Sequence, residues 1–219
     1  MRCGKCTLCT GVLLLLLFAI WTGLIQNIDL QVVGETGRTV GFATMNGWIH
    51  RQIGVNLLLY SITDWLGFVP VGVGMLFGGL GVAQLIQRKS LLKVDRDILL
   101  LGGYYLLVIV LYLAFERLPI NYRPVFIENR LEASYPSSTT LLVLSVMPTL
   151  VFHVNRRWKT IKGRRAVTVT SVMFSLFMVI GRLLSGVHWF SDIVGSVLLS
   201  MGLFYLYKAT VLLWDKRKN

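Results

Sequence analysis

Three stretches of this 219-residue chain gather side chains able to handle an anion, and the richest runs from Gly181 to Asp192. It contains Arg182, His188 and Asp192. With a helix beginning near His188, His188 and Asp192 stand at i and i+4 and share one face. A carboxylate on one imidazole nitrogen fixes the tautomer and leaves the other nitrogen as a base or nucleophile, although the orienting contact can also come from elsewhere in the fold. Arg182, across the Ser185-Gly186 break, can turn its guanidinium into the same space. Each residue alone has a plainer use: an arginine at a membrane helix end anchors headgroups, and a lone His or Asp caps a helix. The three together in one loop favour a site.

The second stretch, Tyr135-Pro136-Ser137-Ser138-Thr139-Thr140, reads as a helix start. Proline suits the first helical position, and the free N–H groups there attract anions. On its own this stretch is better read as a Ser/Thr cap. The third, Pro119-Ile-Asn-Tyr-Arg123-Pro124, adds a second arginine on a loop stiffened by proline. Two arginines, a helix start and a paired histidine suit a phosphoryl group better than an acyl group, because phosphoryl transfer asks for positive charge around the equatorial oxygens and an in-line nucleophile.

The elements that must position these residues follow from composition. The chain is 55% hydrophobic, has a mean hydropathy of +0.68 and is only 15% charged, yet carries a formal charge of +12. Its charges fall in short islands between apolar runs, the pattern of a polytopic membrane protein. The expectation is an all-α bundle of six transmembrane helices in one domain, with spans near 8–28, 65–87, 97–117, 136–154, 166–185 and 191–213. The segment Gln52–Thr63 is too short to cross and reads as interfacial or re-entrant. Arg2 and Lys5 before Leu13–Leu17 resemble a signal peptide, but no small-residue cleavage pattern follows, so the run is kept as the first span. The glycines of the second span, Gly67, Gly72, Gly74, Gly78, Gly79 and Gly81, are expected to serve close helix packing. Cys3, Cys6 and Cys9 read as juxtamembrane thiols, acylated or idle, because a fourth metal ligand is missing.

With six spans both termini share a side, and that side collects 15 loop lysines and arginines against six on the other. The positive-inside rule places the termini in the cytosol and all three polar stretches on the non-cytosolic face. With Lys208 included, the cytosolic side carries +13 and the outer side −1. The basic excess is therefore a topology signal facing anionic lipid, and no nucleic-acid partner is expected.

In this order and spacing the three stretches resemble those of the PAP2 (type 2 phosphatidic acid phosphatase) superfamily of membrane lipid phosphatases. The family pattern is Lys-x6-Arg-Pro, then Pro-Ser-x-His, then Ser-Arg-x5-His-x3-Asp. Arg123-Pro124, Pro136-Ser137 and Arg182-x5-His188-x3-Asp192 match it, with Gly181 in place of the serine. The Asn46–His50 amphipathic region before Thr63-Asp64-Trp65 extends the likeness over most of the chain. The resemblance implies a PAP2-type helical bundle and an enzyme that uses neither metal nor cofactor. It further implies His188 as the nucleophile forming a phosphohistidine, Asp192 orienting it, and Arg123 and Arg182 holding phosphate with Ser137 and amides around Ser138.

Two positions depart from the pattern. The family's lysine position is Glu116, with Arg117 beside it as a possible substitute of different geometry. The family's general-acid histidine is Thr139, whose hydroxyl cannot deliver a proton as an imidazolium can. Expelling an alkoxide needs that proton, since an oxygen of water-like acidity has a pKa of about 15.7. A lipid diphosphate leaves instead as a phosphate monoester with a second pKa of about 6. The expected substrate is therefore a polyprenyl diphosphate of the undecaprenyl diphosphate kind. A non-catalytic headgroup- or partner-binding relative and a lipid phosphotransferase are the competing readings. His50, on the outer side, is a weaker candidate for the missing acid, and His153 reads as a headgroup or loop contact.

Overall fold

The structure, a computed structural model, describes residues 4–216, so Cys3 lies outside the described residues. Eight α-helices follow one another: α1 (Gly4–Asn27), α2 (Ala43–Ile53), α3 (Leu57–Leu66), α4 (Phe68–Arg88), α5 (Arg96–Arg117), α6 (Ser138–Arg157), α7 (Ile161–Leu184) and α8 (Phe190–Lys216). A two-stranded antiparallel ribbon, β1 (Gln31–Val32) and β2 (Thr39–Val40), joins α1 to α2. Six helical segments are long and apolar enough to cross a bilayer, and this is a multi-pass membrane protein. Their outer faces carry exposed Leu, Val, Ile and Phe, as expected where the solvent is hydrocarbon.

The second crossing differs from the sequence expectation. The helical stretch that contains 65–87 begins earlier and runs 32 residues, Leu57–Arg88, with α3 passing into α4 through Gly67, itself helical at φ −58°. At 1.5 Å per residue such a stretch exceeds the roughly 30 Å hydrocarbon core, so one end extends beyond it. The short apolar window Gln52–Thr63 had hidden this because Asp64 interrupts it; α3 packs on α7, and Asp64 meets Arg182 there.

The glycines also act elsewhere than expected. A Cβ on Gly72, Gly74, Gly78 or Gly79 would meet nothing within 4 Å. Gly74, Gly78 and Gly81 instead line a cavity of about 340 Å³ shared with Gly102 and Gly103 of α5. Close helix approach occurs between α1 and α8, where a Cβ on Gly11 would lie 2.9 Å from the Leu206 amide nitrogen and one on Gly202 2.7 Å from a Leu15 methyl.

The core sits between α5, α6 and α8, built from Leu101, Tyr104, Val108, Leu141, Leu199, Leu203 and Tyr207. At the end holding the chain termini, Arg157 reaches both Asp97 carboxylate oxygens at 2.8 and 2.9 Å. His153 is buried there against the Tyr207 hydroxyl at 2.6 Å, with Asp97 3.6 Å away; it is a core contact between α6 and α8, not the headgroup contact the sequence suggested. Cys6 and Cys9 are exposed on α1.

Candidate active site

The opposite end of the bundle holds all three polar stretches. Helix α7 stops at Ser185, whose N–H bonds the Gly181 carbonyl, and Gly186 follows in the left-handed region at φ +68°. Only glycine is free of steric cost there, and a Cβ would lie 2.0 Å from the Gly54 carbonyl oxygen. His50 completes this corner: its Nε2 lies 3.0 Å from the Gly186 carbonyl, and its ring rests on Trp189. His50 thus supports the loop that carries His188. Gly186→Ala should lower stability by about 1–3 kcal/mol from backbone strain alone, before the clash with Gly54 is counted. An unchanged midpoint of thermal denaturation in detergent would refute this.

Helix α8 starts at Phe190, so His188 stands just outside it rather than in its first turn. Asp192 is fully buried, and its Oδ2 accepts the Trp189 N–H at 2.9 Å, the backward half of a capping box. The same oxygen accepts the Ser134 hydroxyl at 2.5 Å, and Oδ1 accepts from Asn121 Nδ2 at 3.3 Å. The carboxylate lies 3.9 Å from His188 Nδ1, whereas the Ser134 carbonyl and hydroxyl oxygens are each 3.1 Å from it. A carbonyl oxygen can only accept, so Nδ1 carries the hydrogen and Nε2 keeps its lone pair. Nε2 is buried with no hydrogen-bond partner. Burial above all, and then the charges of Arg123 and Arg182, hold the His188 pKa well below the usual 6.5, leaving the ring neutral at pH 7. The orienting contact on the ring is therefore Ser134, with Asp192 one step behind.

Arg182, 1% exposed, is held by α3: Nη1 donates to the Tyr60 carbonyl at 3.4 Å and the Thr63 hydroxyl at 3.3 Å, and Nη2 lies 3.5 Å from Asp64. These contacts are long, so the anchoring is spread over several of them. Arg123 sits on an irregular loop that doubles back through bridges Tyr122–Ala133 and Ile127–Arg130. Its Nη2 pairs with Glu132 at 3.0 Å. Both guanidinium carbons lie over one Tyr60 ring, at 4.8 Å for Arg182 and 5.7 Å for Arg123, an aromatic face that offsets their mutual repulsion. Arg123 Nε and Nη1 and Arg182 Nε are buried without partners. Three unpaired cationic N–H positions beside an unpaired imidazole nitrogen form a setting that an oxyanion would satisfy.

The remaining residues separate. Ser138 lines two cavities that meet at the start of α6. Ser137 is fully buried; its hydroxyl donates to Thr140 within the first turn of α6, and its backbone carbonyl accepts from Ser196 of α8. Thr139 and Asp64 line the cavity between α4 and α5, about 430 Å³ and walled by Phe68, Val71, Val108, Ile109, Leu113 and Leu142. The other cavity, about 460 Å³, is lined by Glu116, Arg123, Arg130, Glu132, Tyr112 and Tyr122 among others. Arg117 is exposed at the end of α5 and lines neither, whereas its neighbour Glu116 lines the larger of the two.

Sequence reasoning missed Ser134, Asn121, Tyr60 and Glu132. Ser134 precedes the Pro136-Ser137 signature by two residues and was the most accessible of these, while Tyr60 lay inside the segment read as interfacial. Among the described residues no group of three or more His, Cys, Asp or Glu gathers as metal ligands.

Known proteins resemble the chain in fold and in sequence pattern. It superposes on the crystal structure of the first transmembrane PAP2 type phosphatidylglycerolphosphate phosphatase from Bacillus subtilis with a TM-score of 0.67, covering 96% of this chain and 98% of that one. Identity is 18%, so the likeness is one of fold. Curated protein sequences give no match. The sequence profile of the PAP2 superfamily spans residues 103–216, from the middle of α5 through α8. That match covers more than half the chain and includes all three polar stretches, so this protein belongs to the PAP2 superfamily.

Proposed function

We propose that this PAP2-family membrane protein is a phosphatase that removes the terminal phosphate of a polyprenyl diphosphate through a phosphohistidine on His188. The carrying observation is the group of buried, unpartnered nitrogens: Arg123 Nε and Nη1, Arg182 Nε and His188 Nε2. Leaving such groups unpaired costs about 1–3 kcal/mol each, more when charged, and an incoming phosphate relieves that cost. In this reading Arg123 and Arg182 hold the equatorial oxygens with amides around Ser138, and Nε2 attacks phosphorus in line. Asp192 and Ser134 keep Nδ1–H directed away from the reacting atom.

The leaving group decides the substrate class. Thr139 occupies the position from which the family's histidine would donate a proton, and general acid catalysis of this kind contributes about 10²–10⁴-fold. A departing phosphate monoester needs little of it. The apolar cavity between α4 and α5 opens beside Thr139 and Ser138 and suits the hydrocarbon chain of the leaving lipid. By the positive-inside count the site faces the non-cytosolic side, with both termini in the cytosol.

Purified protein should release phosphate from a polyprenyl diphosphate with a kcat/KM about 10²-fold above that for phosphatidic acid or phosphatidylglycerophosphate, the size of the missing acid contribution. Faster release from the monoesters overturns the substrate assignment. Binding of lipid diphosphate without any turnover would favour a non-catalytic headgroup-binding protein, the reading that Thr139 and Glu116 motivate.

A further inference from the structure

Hydrolysis of a phosphohistidine requires a group that takes a proton from the attacking water. His188 itself is blocked once phosphorylated. Thr139 has no basic atom of use, and the arginines are permanently cationic. Asp192 is fully buried and already accepts from Ser134, Trp189 and Asn121. Two carboxylates remain against the phosphate-holding arginines: Asp64 beside Arg182 and Glu132 beside Arg123.

Their surroundings separate them. Asp64 opens into the apolar cavity between α4 and α5, the space assigned to the lipid chain. Glu132 is about one-third exposed and opens into the other cavity, among Tyr112, Glu116, Tyr122, Arg123, Arg130 and Ser138. At about 460 Å³ and polar-walled, that chamber has room for several waters, each needing roughly 30 Å³ of liquid volume. Glu132 Oε2 sits 3.0 Å from Arg123 Nη2, on the same guanidinium whose Nε and Nη1 remain free for phosphate oxygens. One planar fork can therefore hold the carboxylate and the phosphoryl group side by side, within reach of a shared water. Ser138 lines both cavities, so the chamber and the apolar space adjoin at the start of α6.

We propose that Glu132 is the general base of the dephosphorylation step. Its carboxylate takes one proton from a chamber water, and the water oxygen bonds to phosphorus. The Nε2–P bond breaks with its electron pair returning to Nε2, and inorganic phosphate departs with His188 again neutral. The proton passes from Glu132 to bulk solvent through the chamber. The inference rests on the phosphohistidine reading above and adds a residue that the family's sequence pattern does not contain.

Glu132→Gln tests it, because the amide oxygen can still accept from Arg123 while the basic group is lost. With lipid diphosphate labelled in its terminal phosphate, rapid-quench measurement should show lipid monophosphate released in the first turnover at close to the wild-type rate. Steady-state phosphate release should fall about 10²-fold or more, and an acid-labile protein-bound phosphate should accumulate. Glu132→Asp, which keeps a base, should turn over without such accumulation. Two results overturn the assignment: wild-type turnover by Glu132→Gln, or an equal fall of its first turnover and its steady state, which would make Glu132 a support for Arg123. If no labelled protein forms in wild type or in Glu132→Gln while phosphate is still released, the phosphohistidine reading itself fails.

Discussion

Replacing His188 with alanine should reduce phosphate release from a lipid diphosphate by about 10⁴-fold or more, the scale of removing a nucleophile from a covalent mechanism. The expectation follows from the ring's surroundings. Nδ1 is committed to Ser134, and Nε2 is buried and unpartnered. Equal release by the variant and wild type would remove the enzymatic reading. The same surroundings fix a pH dependence. Burial and the two arginine charges lower the His188 pKa, so the neutral ring persists as pH falls through 6.5. The acid limb of kcat/KM that belongs to this residue should therefore lie below pH 6.5, and a limb at or above that value would contradict the assignment. Stability responds with a definite sign: the unfolded chain takes up a proton near 6.5 before the folded one does, so the fold loses this contribution as pH drops below that point.

Arg182→Lys should lower kcat/KM by about 10²–10³-fold, comparable to deleting one preorganised donor from an oxyanion site. A lysine keeps the charge but loses the fork. It cannot contact the Tyr60 carbonyl, Thr63 and Asp64, sit over the Tyr60 ring and still present an N–H to phosphate. Steady-state kinetics on the lipid diphosphate, with circular dichroism to confirm retained helicity, check this. Activity within threefold of wild type would mean that charge alone is needed at position 182.

Much of the architecture was readable because hydrophobic length is a one-dimensional signal. Charge islands separated the crossings, and six such crossings are present. The second helical stretch starts earlier than expected because Asp64, a charged residue within a helix, looks from sequence like a span boundary, whereas in the bundle it lies against Arg182. The glycines of α4 misled for a similar reason: their spacing marks a smooth helix face, but whether a neighbour fills or leaves that face depends on packing between helices. That Arg123, His188, Asp192 and Arg182 form a candidate site was legible from type and spacing, and the fold brings them to one end of the bundle. Their supports were not, since Tyr60, Asn121 and Ser134 are joined to them across long sequence separations and carry no motif of their own. The Ser134 contact shows this most clearly: the i,i+4 spacing leaves Asp192 3.9 Å from His188 Nδ1, and the closer contact, which sequence allowed to come from elsewhere in the fold, is supplied by a residue with no motif.

The family profile begins at residue 103, and every signature residue lies beyond that point. The floor under Arg182, however, comes from Tyr60, Thr63 and Asp64, and the first turn of α8 is fastened by Trp21 Nε1 on the Ser191 carbonyl and by Asn46 on Ser191. The recognisable half of the chain is thus incomplete in a physical sense. Cut away from the first hundred residues, it would keep all of its diagnostic letters while exposing a stranded guanidinium and an unpinned helix start. Homology marks where the chemistry is written, and the unmarked half bears its weight.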